Sequence, residues 1–81
     1  MRPICEIAMD IEIDWKNRGK KQKWMKHARP YLDAMHSLGT INDKHINDDA
    51  RSIILYFLCN VAHWRKGIAP KIKEELNAMC K

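Results

Sequence analysis

Lys16, Arg18, Lys20, Lys21, Lys23, Lys26 and Arg29 place seven cations in one stretch without an acid among them, and Trp24 and His27 are interleaved. The other eight cations of the chain face ten acids, so this stretch carries the whole of the excess charge of +5. Lys and Arg at that density neutralise phosphates with release of counterions, and an indole among them can stack on a base. On this reading Arg18, Lys20, Lys21, Lys23, Trp24, Lys26 and Arg29 contact nucleic acid or a host nucleoprotein. A second reading stays open. The run can be a solvated connector whose cations lie against acids of the first helix, with Trp24 folded back onto the core.

Cys59 and His63 stand four apart and have the spacing of half a zinc site, but no second pair completes it, since His36 and His45 fall in or near a loop without paired spacing. No metal is expected. Cys5, Cys59 and Cys80 form no C-x-x-C pair, and an odd number spread along the chain does not make a disulfide framework. They read as reduced thiols acting as small buried hydrophobes in a cytoplasmic protein. Gly19, Gly39 and Gly67 are the only glycines, too few and too scattered for a phosphate-binding or dinucleotide-binding loop. A chain of 81 residues rarely encloses a cleft that gathers nucleophile, base and orienting group, so neither an enzyme nor a cofactor is expected.

The elements that position these residues follow from apolar spacing. Ile4, Ile7, Ala8, Ile11 and Trp15 keep helical intervals, and Pro3 suits a helix start, which predicts a first helix over about 3–16. Glu6, Asp10 and Asp14, spaced by four, form an acidic stripe on it. A basic connector follows over about 16–29. Pro30 near a first turn, Leu32, Met35 and Leu38 on one face, and Gly39 as a stop predict a short second helix over about 29–38. Thr40 to Asn47 is dense in turn residues, with Ile41 placed to pin the loop to the core. Asn47 or Asp48 is expected to cap a third helix, with Asp49 supporting it electrostatically.

Ile53 to Cys59 and Val61 are apolar almost all round, so the third helix is expected to be the central, covered element. A buried strand over Ile53–Leu58 is disfavoured by the lack of Gly and Pro on either side and by Val61 and Trp64 downstream. Ile68, Ile72, Leu76 and Met79 predict a last helix starting between Trp64 and Gly67, with Pro70 in its first turn. The fold class is therefore all-α: a compact single-domain bundle of about four helices over residues 1–81, built round an apolar third helix. Its expected core is Ile7, Ile11, Trp15, Leu32, Met35, Ile54, Phe57, Leu58, Val61, Ile72 and Leu76. A helix-turn-helix reader fits poorly, because Gly39 to Asn47 is too long for its tight turn and the third helix is too apolar for a groove.

The longest apolar run, Ile53 to Ala62, is broken at Asn60 and falls short of a membrane span. Glu6, Asp10, Glu12 and Asp14 interrupt any signal-peptide core. A soluble cytoplasmic protein without membrane contact is expected.

Glu6-Ile7-Ala8, Asp14-Trp15-Lys16, Pro30-Tyr31-Leu32-Asp33-Ala34-Met35, Arg51-Ser52-Ile53 with Tyr56-Phe57-Leu58, Trp64-Arg65, and Ile72-Lys73 with Glu75-Leu76 are phrases of core and cap positions. Over most of its length the chain resembles, in these phrases, a group of small, functionally uncharacterised proteins of phages and bacterial mobile elements. The lysine-rich run from Lys20 to Lys26 and the Lys44-His45 pair depart from that group. The resemblance implies a non-catalytic protein that acts by occupying a surface: an accessory protein on nucleic acid, or alternatively a protein-binding inhibitor of a host process such as a defence system, in the manner of anti-CRISPR proteins. A structural phage component is the third role it implies.

Overall fold

Four helices and one minimal hairpin make up the computed structural model, which describes residues 2–19 and 22–81. Helix α1 (Ile4–Arg18) buries Ile4, Ile7, Ala8, Ile11 and Trp15, the stripe that the spacing predicts. Pro3 offers no capping side chain. Instead the backbone N–H groups of Ile4 and Cys5 donate to the carbonyls of Gly39 and Leu38, both at 2.8 Å, so the loop after the second helix completes the first turn of the first. Gly19 ends α1 in the left-handed conformation at φ +70, where a side chain would be strained.

Helix α2 (Lys23–Met35) begins six residues earlier than its predicted start at about 29, which corrects the idea of a connector reaching Arg29. Lys23, Trp24, Lys26 and Arg29 are helical, and Pro30 lies inside the helix rather than in its first turn. Met25, Ala28, Leu32 and Met35 form one buried stripe, while Lys26 and Pro30 are exposed. Pro30 has no N–H for the Lys26 carbonyl, and both residues are on the exposed side of the helix. Burial of the stripe outweighs the proline.

The turn-rich loop closes around Asp43, whose Oδ2 accepts from the N–H of Gly39 at 2.7 Å and of Thr40 at 3.0 Å, and whose carbonyl accepts from Ala50 N–H at 2.9 Å. A Cβ on Gly39 would stand 2.9 Å from that same Oδ2, so glycine is what permits the close approach. Strands β1 (Lys44–His45) and β2 (Asp48–Asp49) pair antiparallel, Lys44 opposite Asp49 and His45 opposite Asp48. Ile46 turns the corner at φ 59. This two-residue pairing is the only departure from helix among the described residues' regular elements. Ile41 packs partly against the core, as predicted.

Helix α3 (Ala50–Cys59) is capped by Asp49, not by Asn47 or Asp48: its Oδ1 accepts from Ser52 N–H at 2.8 Å. The helix is not enclosed on all sides. Ala50, Ile53, Ile54 and Phe57 are buried, Leu58 is half-buried, and Leu55, Tyr56 and Cys59 face out. Residues 60–68 form turns rather than a helix, yet they deliver Val61 and Trp64 to full burial. Helix α4 (Ala69–Met79) starts later than predicted, with Pro70 in its first turn and Ala69, Ile72, Leu76 and Met79 inward.

Helix α3 packs on both α2 and α4, and α1 packs on α2. Every expected core residue except Leu58 is buried. Of the cysteines, Cys80 is buried, Cys5 half-buried and Cys59 exposed, so Cys59 is no core hydrophobe. No helix among the described residues is long and apolar enough to cross a membrane.

Candidate functional site

The five described cations of the run separate by residue type. Both arginines are held by the protein's own acids. Arg18 Nε donates to Asp14 Oδ2 at 3.0 Å, and its Nη2 donates to the Lys66 carbonyl at 3.0 Å, tying the end of α1 to the turn before α4. Arg29 donates from Nε to Asp33 Oδ1 at 3.0 Å and from both Nη atoms to the Glu12 carboxylate, joining α2 to α1. The Arg29 hydrogen bonds hold the Glu12 carboxyl below the usual carboxylate range, against the burial that would raise it. His36 Nε2 also reaches Glu12 Oε1, at 3.1 Å.

Lys16, Lys23 and Lys26 are exposed, and none has a carboxylate within ion-pairing distance among the described residues. Lys20 and Lys21 lie outside the described residues. Trp24 is half-buried, packed edge-on against Trp15 with ring centroids 5.4 Å apart. Its ring is thus attached to the core at one edge.

Lys16, Lys23 and Lys26 border one groove, of about 1020 Å³, between α1 and α2, which Trp24 does not line. Trp15, Met25 and Pro30 supply its apolar wall, and Lys16, Lys23 and Lys26 its cationic rim. Arg29 also lines the groove, clamped between Glu12 and Asp33, which line it too. Trp15 stacks on Phe57 at 6.0 Å and meets the edge of Trp64 at 5.8 Å, which fixes the floor rigidly. Trp64 Nε1 donates to Asp14 Oδ2 at 2.8 Å. Trp15 Nε1, in contrast, is the one buried side-chain polar atom without a partner among the described residues.

The chain did not announce this groove in its sequence. Trp15 reads there as core, which it is, whereas Met25 falls in the expected connector and is buried in the structure; only the extension of the α2 stripe back to Met25 and Ala28 would have brought Lys23 and Lys26 alongside Lys16.

Other chemistry finds no comparable assembly. Cys59 ends α3 and His63 lies in the following turn, so the two do not share a helix face, and no three His, Cys, Asp or Glu among the described residues gather as metal ligands. Ser37 Oγ and His45 Nδ1 are 2.8 Å apart, a pair that sequence spacing did not suggest. The Ser37 hydroxyl donates to the Ala34 carbonyl at 2.8 Å, so it accepts from His45 and is not deprotonated by it. Comparison with known protein families, with curated proteins and with solved structures returned no match.

Proposed function

We propose that the protein is a non-enzymatic binding protein, of the kind carried by phages and mobile elements, that presents the α1–α2 basic face to nucleic acid or a nucleoprotein. The observation that carries this reading is the division of the charge. The arginines are engaged in internal clamps, while Lys16, Lys23 and Lys26, on the groove that Glu12 and Asp33 also line, have no ion-pair partner of their own among the described residues. Lys is a flexible, strongly hydrated point charge, suited to following a phosphate backbone without sequence preference.

The test is binding of generic single-stranded and duplex DNA over a salt series. Affinity is expected to fall linearly in log salt, by roughly 0.7 per single-strand phosphate or 0.9 per duplex phosphate neutralised. Lys16→Gln, Lys23→Gln and Lys26→Gln together are expected to flatten the slope and weaken binding. Absence of binding at low salt, or binding indifferent to salt, overturns the reading.

A second reading, a protein-binding inhibitor of a host process, draws on the stacked Tyr31–Tyr56 pair, 5.6 Å between centroids, with Tyr56 57% exposed beside an exposed Leu55. Exposed aromatics of this kind are enriched at protein interfaces. A nuclease-resistant stoichiometric protein partner, together with no salt-sensitive nucleic-acid binding, would select it.

A further inference from the structure

We infer that the outward face of α1 is a self-association surface, on which α1 of a second copy of the chain lies antiparallel. Met9 is 58% exposed and Ile13 56%, although the other isoleucines of α1, Ile4, Ile7 and Ile11, are buried. Glu6, Met9, Ile13 and Lys16 are all exposed, and their spacing of three, four and three makes one stripe opposite the buried one. Among the described residues nothing covers it. The acids on its flanks are turned to partners within the molecule: Asp10 to Arg2, Glu12 to Arg29, and Asp14 to Arg18 and Trp64.

The charges fix the register. The stripe is acidic at its N-terminal end and basic at its C-terminal end, and its four positions are symmetric about Ile11. Under a two-fold axis at that point Met9 meets the partner's Ile13, Ile13 meets the partner's Met9, Glu6 meets the partner's Lys16 and Lys16 meets the partner's Glu6. Glu6 and Lys16 are about 15 Å apart along a helix axis, so both ion pairs and the apolar centre fit one straight contact. A parallel pairing would instead oppose like charges at both ends. Both charged residues are available. Glu6 comes no nearer than 3.8 Å to Arg2, which is committed to Glu75 and Asp10, and Lys16 has no carboxylate within ion-pairing distance among the described residues. A partner of one charge, such as a phosphate backbone, matches only one end of the stripe, whereas a second copy matches both. Two apolar residues per copy make a small contact, so the dimer is a weak one that forms as concentration rises. Lys23 and Lys26 lie on α2 and take no part, so the nucleic-acid reading neither requires this dimer nor falls with it.

Sedimentation equilibrium of the full chain, without nucleic acid and from micromolar to millimolar concentration, is expected to show a reversible monomer–dimer equilibrium. Glu6→Lys alone and Lys16→Glu alone each put like charges at both ends of the pair, and each is expected to weaken association on the order of tenfold or more. An equimolar mixture of the two variants restores opposite charges at both ends, as does one chain carrying both substitutions, and each is expected to recover the dissociation constant of the parent. Ile13→Ser, at an exposed position, is expected to remove the dimer while leaving the circular dichroism spectrum unchanged. A monomer at every concentration, single reversals that associate like the parent, a mixture that stays monomeric, or a dimer that survives Ile13→Ser overturns the proposal.

Discussion

Asp14 carries two donors on one oxygen: Arg18 Nε at 3.0 Å and Trp64 Nε1 at 2.8 Å both meet its Oδ2. Trp64 is fully buried, and its indole N–H has no water to fall back on. Removal of the acceptor therefore costs the desolvation of a buried donor, about 1–3 kcal/mol. Asp14→Ala is expected to lower the denaturation midpoint accordingly, whereas Asp14→Asn, which retains a carbonyl oxygen for Trp64, is expected to recover part of the loss. Equal midpoints for the two variants would mean that the charge toward Arg18, and not the hydrogen bond to Trp64, is what Asp14 contributes. The same residue shows what the sequence reading missed. Asp14 is legible as one of a stripe of acids, but beside its local partner Arg18 it meets Trp64, fifty positions along the chain, and no local pattern encodes that meeting.

At the scale of elements, apolar spacing made the four helices legible, and the misplaced boundaries have particular causes. Pro30 by itself favours a first turn, but the stripe of Met25, Ala28, Leu32 and Met35 continues through it, and tertiary burial overrides the local rule. Asp49 caps α3 because Asp48 and Asp49 are extended in the small hairpin with Lys44 and His45, a pairing that three adjacent capping residues do not by themselves reveal. Of the candidate site, the cations were legible as a group, but their division was not, since it depends on Glu12 and Asp14 facing the run in space. The arginine–lysine difference was the available signal, as the planar guanidinium suits fixed carboxylate pairs. Pro30 also permits a direct test of the α2 account. Pro30→Ala gives the Lys26 carbonyl a partner in a helix whose axis is already set, so stability is expected to rise by up to about 3 kcal/mol, the penalty of an interior proline. A lower melting midpoint would mean that the ring's contact with the groove wall outweighs the lost hydrogen bond.

The molecule as a whole is held by arginine–carboxylate clamps laid across its helix junctions, and these make its stability depend on acid. Arg2 grips Glu75 through Nε at 2.9 Å and Nη2 at 2.8 Å while also bonding Asp10, which fastens the chain before α1 to α4. Arg29 fastens α2 to α1 through Glu12. In both cases the arginine hydrogen bonds are the main cause that holds the glutamate below its ordinary range, outweighing burial, which acts in the opposite sense. A carboxyl whose pKa is lower folded than unfolded stabilises the fold fully above its unfolded value, near 4.3 for Glu. That contribution is lost as pH falls through the folded value, because the unfolded chain binds the proton first. The melting midpoint is therefore expected to be level from neutral pH to about 5 and to drop below about 4.3. Because the clamps are partly exposed, added salt should reduce the neutral-pH advantage that they supply. Glu75→Gln isolates one of them: it keeps an acceptor oxygen but removes the charge, so the variant is expected to melt lower than the parent at neutral pH and to converge with it in strong acid. Melting curves that stay parallel across the whole pH range would show that Glu75 acts through packing, and that acid sensitivity arises at other carboxylates, with Asp43 and Asp49 next to be replaced, since backbone hydrogen bonds hold both of them low as well.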